Sequence, residues 1–177
     1  MYDDIYRVPL IVRWPGVIEP GRNNALVYNM DMGAAMWELA GEAVPAGASA
    51  RSLFSVLVGE RQDLGRDVLI CEFYRQWDFY SQGMAHSGTE KFIYNFSDTD
   101  EYYDLTADPH EMDNRIAEPA AAERVAWLSR RLHEWMKGAN SYMTHGFERT
   151  SAAKINFASL AWKRGGPAAA DIHSEQP

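Results

Sequence analysis

A short link containing Ser97-Asp98-Thr99-Asp100 separates two strand-type runs, Lys91–Phe96 and Tyr102–Leu105. So short a link makes them a hairpin, because parallel neighbours need a crossover of about a dozen residues or more. Val68–Tyr74 and Met84–Ser87 read as two further strands, the second after an aromatic-rich loop. A small four-stranded antiparallel sheet is therefore expected from residue 67 onward. Residues 119–137 then form an amphipathic helix. Val125, Leu128, Leu132, Trp135 and Met136 fall three and four apart on one stripe, Pro119 suits the first turn, and Gly138 ends it. Neither the sheet nor the helix can bury its apolar face alone, so the helix is expected to cover the sheet.

The first 66 residues read differently. Val8–Trp14 is a compact apolar strand candidate stopped by Pro15-Gly16, and Ala25–Asn29 is a second. Asp31 sits at a helix N-cap, Met32–Ala40 is helical in composition, and Gly41 closes it. Ser52–Val58 is a short apolar helix.

Composition narrows the class. Hydrophobic content of 46% and aromatic content of 12% suit a folded chain. A net charge of -8 argues against nucleic acid as a partner. No apolar run is long enough to span a bilayer. The opening MYDDIYRVP lacks the charged and apolar regions of a signal peptide, and cytoplasm and periplasm both fit. One cysteine excludes an internal disulfide and a thiolate-rich zinc site. Cys71, inside an apolar strand, reads as a buried free thiol.

Four blocks carry a family resemblance. Glu101–Asn114 (EYYDLTADPHEMDN) contains Y-D-L-x-x-D-P-x-E-x-x-N, and Tyr2–Gly16 is similar to Y-E-x-x-x-R-V-P-L-I-x-x-W-P-G. Asp31–Gly41, Arg51-Ser52-Leu53 and Gly59-Glu60 resemble D-x-x-P-T-x-x-x-L-A-G, G-R-S-L and L-x-G-E. Thr89–Asn95 resembles R-x-x-K-Y-I-x-N. In this order the blocks resemble the C-terminal portion of type I sulfatases of the alkaline phosphatase superfamily. The implied fold is α/β passing to α+β. Residues 1–66 would be the edge of the large α/β domain, residues 67–140 the C-terminal subdomain of sheet and long helix, and residues 141–177 an extension with a loose tail.

The resemblance also says what is missing. The nucleophile motif, C-or-S-x-P-x-R, occurs nowhere, and Cys71 is followed by Glu72-Phe73. The paired metal-holding aspartates are absent, and the family's active-site lysine lies just before the block that starts at Tyr2. No residue is therefore assigned as catalytic or as a metal ligand. The family's formylglycine and divalent metal, usually calcium, belong to the full-length protein. So does the sulfate-ester substrate, and the implied partner is the missing N-terminal sulfatase domain. Phosphonate and phosphodiester hydrolases share parts of this wording, so sulfur and phosphorus esters both remain open. A free-standing binding or assembly module descended from a sulfatase tail is the other reading. Without a larger domain, Val8–Val12 would be exposed and would invite a partner.

Four residues are candidates for lying near substrate: Arg7, Arg75, Trp77 and His86. Arg7 could meet an anionic substrate, although an ion pair with Asp3 or Asp4 is the preferred reading. Arg75-Gln76-Trp77-Asp78-Phe79-Tyr80 forms an aromatic and polar loop suited either to sugar or aryl recognition or to packing on a neighbouring domain. Where the family often has Arg-Thr ahead of the Lys91 strand, the nearest matches here are His86-Ser87 or Thr89 alone. The acidic residues Asp104, Asp108, Glu111 and Asp113 lack calcium-loop spacing and read as turn and capping groups, with Asp113 and Asn114 capping the following helix. His133 reads as solvated. The five histidines show no metal-site spacing.

Overall fold

Strand-forming residues and short links produce the expected meander. A computed structural model describes residues 1–74 and 81–150. Strands β1 (Leu69–Tyr74), β2 (Ser81–His86), β3 (Glu90–Asn95) and β4 (Glu101–Asp104) lie in that order, each antiparallel to the next. The register opposes Gly83 to Tyr94 and Phe92 to Tyr102. Helix α4 (Ala122–Gly138) follows a single 3-10 turn, Pro119–Ala121, and crosses the sheet.

Alternation along the strands sorts the side chains into two cores. Ile70, Ala85, Phe92, Tyr94 and Tyr102 face α4, which contributes Leu128, Leu132 and Met136. Gly83 lets the helix come close. A Cβ there would stand 2.7 Å from Met136 Cε and 3.2 Å from a Leu132 methyl. Met84, Ile93 and Tyr103 point the other way, where Met1 covers them. Residues 143–150 are helical as well, and Met143 and Phe147 join the core under α4.

In the first 66 residues, α1 (Asp3–Tyr6), α2 (Met30–Leu39) and α3 (Phe54–Leu57) surround a small core of Ala35, Leu53 and Leu64. Asp31 organises it from a fully buried position. Its carboxylate accepts bonds from Arg66 (2.5 and 2.7 Å) and from the backbone N–H groups of Tyr28 and Arg51. Burial pushes that carboxyl up, but Arg66 and the two amides outweigh it and the net shift is downward. The Tyr28 hydroxyl accepts from Ile70 N and donates to Ile70 O, fastening this unit to β1.

Several expectations need correction. Val8–Trp14 and Ala25–Asn29 are not strands, because neither finds a ladder partner among the described residues. The second is pinned by side chains instead, through Asn23 and Asp31. Asp31 lies in the first turn of α2 rather than at its N-cap, which is Asn29. Strand β2 starts at Ser81, not Met84. Ser81, Gln82 and Gly83 are poor strand formers, and their state is imposed by pairing with β1 and β3 on both sides. Asp113 and Asn114 cap no helix: Asn114 Oδ1 accepts from Tyr102 N and Ile116 N, bracing the end of the sheet. No helix among the described residues is long and apolar enough to cross a membrane.

Candidate functional site

The face of the sheet opposite α4 carries the titratable groups. His86 and Lys91 are direct cross-strand partners on β2 and β3. The Lys91 side chain is wholly buried. Its ammonium lies 2.5 Å from Asp3 Oδ1 and 2.6 Å from Glu111 Oε1, and donates to the Met1 carbonyl at 3.3 Å. The Glu111 contact lacks hydrogen-bond geometry, so charge pairing carries it. Glu111 Oε2 accepts from the Asp3 backbone N–H at 2.6 Å. A backbone φ of 56° turns Glu111 inward out of the Asp108-Pro109 turn, a conformation uncommon for a residue with a side chain. Tyr2 adds a bond from its hydroxyl to Glu101. Segment 1–3 is thus fastened to the sheet by a buried cation and two carboxylates.

His86 sits at the rim of this cluster. Its Nδ1 accepts from Gly88 N at 2.8 Å, which leaves the neutral ring's proton on Nε2, 3.7 Å from Asp3 Oδ1. Burial, reinforced by Lys91, lowers its pKa below the ordinary histidine value, against the pull of Asp3 and Glu111. Cys71, on the same face, has its thiol pushed up by burial.

Of the four sequence candidates, the structure places two. His86 belongs to the cluster just described. Arg7 is the exposed C-cap of α1, tied to Asp3 only by its backbone N–H. The expected ion pair of Arg7 with Asp3 or Asp4 does not form among the described residues, because Lys91 already neutralises Asp3. Arg75 and Trp77, with the rest of their loop, lie outside the described residues. A polar hollow lined by Arg22–Ala25, Gln62 and Asp63 contains none of the four. His133 is not simply solvated; it stacks on Phe147 and meets Glu148 at 3.0 Å.

Sequence reasoning missed the joint of Asp3, Lys91 and Glu111, although the signal was present. Lys91 and Glu111 are spelled-out letters of two of the resemblance blocks, and Asp3 stands at the acidic letter of a third. Asp104 and Asp108 form the turn as expected, accepting from Thr106 N and Asp113 N. Among the described residues, no group of three or more His, Cys, Asp or Glu could hold a metal ion. The donor chemistry does not fit a metal or formylglycine either. Asp3, Asp31 and Glu111 are committed to Lys91 and Arg66, and Cys71 lies mid-strand with a raised pKa.

Among the described residues, this geometry fastens segments together. Residues 1–138 match the C-terminal family of N-sulphoglucosamine sulphohydrolase. The chain belongs to this sulfatase C-terminal family. An N-acetylglucosamine-6-O-sulfatase of Bacteroides thetaiotaomicron is 30% identical over 146 residues, covering 77% of this chain and 26% of that one. A protein whose structure was solved in complex with its substrate D-glucosamine-2-N,6-O-disulfate is 25% identical, with a TM-score of 0.58 over 64% of this chain and 24% of the other. A Bacteroides fragilis protein described as a putative sulfatase shares the fold, with a TM-score of 0.64 at 16% identity over 76% of this chain and 30% of its own. The chain spans about a quarter of the length of the curated sulfatases it matches. The four-stranded sheet with its covering helix is therefore the sulfatase C-terminal architecture.

Proposed function

We propose that this chain is the C-terminal part of a sulfatase-like hydrolase and that it hydrolyses no ester alone. The observation that carries this reading is a match to a C-terminal family, with the matched region making up about a quarter of each curated sulfatase. The absence of C-or-S-x-P-x-R from the sequence supports it. In the longer polypeptide, the reaction is hydrolysis of a sulfuric ester. A sulfated sugar suits the names of the two curated sulfatases it matches.

Residues 1–66 belong to the larger catalytic domain in this reading, and residues 67–140 form the subdomain that braces it. Two of the three cores lie wholly on one side of residue 67, which supports the division, and the third joins Met1 and Tyr6 to the sheet. In this reading Arg7 and His86, both attached to Asp3, lie toward the substrate, and Arg75 and Trp77 remain candidates from the sequence. The test is turnover of an aryl sulfate, a sulfated glucosamine and a phosphonate monoester with calcium or manganese. The isolated chain is expected to match a buffer blank, and turnover by it overturns the reading. A longer polypeptide that cleaves only the phosphonate would move the chain to the phosphorus side of the superfamily.

A further inference from the structure

Tyr74 and Tyr142 stand together at one end of the small sheet. Tyr74 closes β1, directly opposite Ser81, which opens β2. It shares the α4 side of the sheet with Ile70 and Glu72, because alternate residues of a strand face one way. Tyr142 comes after α4, just ahead of the helical residues 143–150. The two rings lie 4.8 Å apart, centroid to centroid, with their planes tilted by 36°. Tyr142 is 66% exposed and Tyr74 is 45% exposed.

Both hydroxyls are tied back to the fold. The Tyr142 hydroxyl shares a hydrogen bond with Ser81 Oγ at 2.6 Å. The Tyr74 hydroxyl donates to Glu72 Oε2 and lies 3.2 Å from Ser141 Oγ, and Ser141 Oγ donates to Glu72 Oε1 at 2.6 Å. Water would satisfy an exposed phenol as well, so the consequence of these bonds is orientation: each ring is held in one pose. A tyrosine has two side-chain torsions to lose, and a ring already held is a preorganised contact surface. The match to the sulfatase C-terminal family ends at residue 138, so Ser141 and Tyr142 are this chain's own addition to the cluster.

We propose that this tyrosine pair is a platform for one uncharged sugar ring of a saccharide, separate from any ester hydrolysis. A sugar ring presents C–H groups that lie against an aromatic face and hydroxyls around its edge. The rim of the platform suits that edge. Glu72 accepts one bond on each oxygen and keeps further lone pairs, and exposed His145 lies one helical turn from Tyr142. The Glu72 carboxylate makes the rim negative, so a sulfate or carboxylate on the same ring would be repelled. Arg149 is two turns from Tyr142, about 10 Å along the helix and beyond reach of that ring. A protein partner is a poorer occupant. It needs about 800 Å² on each side, whereas two partly exposed tyrosines offer on the order of 200 Å².

The test is titration calorimetry with ligand-observed NMR on the polypeptide translated from the gene's complete reading frame. The probes are cellotetraose, chitotetraose and sulfated cellotetraose. Both neutral probes are expected to bind with dissociation constants on the order of a millimolar. Tyr142→Ala should weaken that binding about tenfold. Tyr142→Phe keeps the ring but frees it from Ser81, and should weaken binding by about threefold. The part of binding that Tyr142→Ala removes should be several-fold weaker for the sulfated probe, and Glu72→Gln should erase that difference. Melting temperatures check each variant, and Tyr142→Phe with Glu72→Gln carries the test if the alanine variant unfolds. Neutral probes that fail to bind at millimolar concentration, or that bind Tyr142→Ala as tightly as the parent, overturn the proposal. So does a preference for the sulfated probe that disappears in Tyr142→Ala. A parent that sediments as a dimer, with Tyr142→Ala a monomer, also overturns it by making the platform a contact between copies. Turnover of an aryl sulfate by the same preparation reads the hydrolase assignment separately, so the two can fail independently.

Discussion

Lys91 and Glu111 meet 2.6 Å apart beneath the sheet, Lys91 on β3 and Glu111 on the turn after β4. Both side chains are almost wholly removed from solvent. Asp3 completes the group, so removing the cation leaves two carboxylates uncompensated in a poorly hydrated place. Lys91→Met should cost about 3–5 kcal/mol, the range for breaking a buried pair from one side. Urea unfolding of the two proteins measures it. Adding Glu111→Gln to Lys91→Met should restore part of the loss. A single variant as stable as the parent would show that the pairing is incidental.

An exposed pair offers the contrast. Arg124 grips Glu90 from α4, but its side chain is 45% exposed, and Glu90 keeps the Tyr102 hydroxyl at 2.6 Å when Arg124 is gone. Arg124→Ala should therefore cost no more than about 1 kcal/mol. High salt should shrink even that difference. A loss as large as that of Lys91→Met would contradict the ranking by burial.

Gly83 is a packing limit rather than a turn. Gly83→Ala drives a methyl into Met136 Cε and the Leu132 methyls, and overpacking of this kind costs about 1–3 kcal/mol. The contact falls on flexible side-chain ends, so the lower half of that range is expected. Combining Gly83→Ala with Met136→Ala should recover part of the loss in thermal melts. An additive double variant would rule out contact between these sites.

His86 sets a pH dependence. Its neutral form is favoured in the fold, so its pKa lies below the ordinary 6.5 that the unfolded chain shows. Between those two values the unfolded state binds more protons, and stability falls as the pH drops below about 6.5. Asp3, Lys91 and Glu111 are the charged groups facing it. The urea midpoint should decline from pH 7.5 toward pH 5, and His86→Gln should flatten that slope. An unchanged slope would place the titration at another group.

The sheet and its helix were legible because their signals are local. Tyr102-Tyr103, the short link at 97–100 and the stripe from Val125 to Met136 each act over a few residues. The joint of Asp3, Lys91 and Glu111 was not legible, since three distant segments meet there and no spacing along the chain encodes it. Glu111 looked like a turn residue, and the turn is real; its left-handed backbone is what points the carboxylate inward. Val8–Val12 failed for another reason. Its composition is that of a strand, but a ladder needs a neighbour that the described residues do not supply.

Met1 covers Met84, Ile93 and Tyr103, so the lower side of the small sheet is roofed by the very start of the chain. Cutting the protein at residue 67 would strip that roof while leaving α4 in place. The excised piece would present a greasy underside, and its Lys91 ammonium would keep Glu111 but lose Asp3 and the Met1 carbonyl. Anyone wishing to study the sheet alone would have to carry residues 1–6 along, tethered by a linker, or expect inclusion bodies.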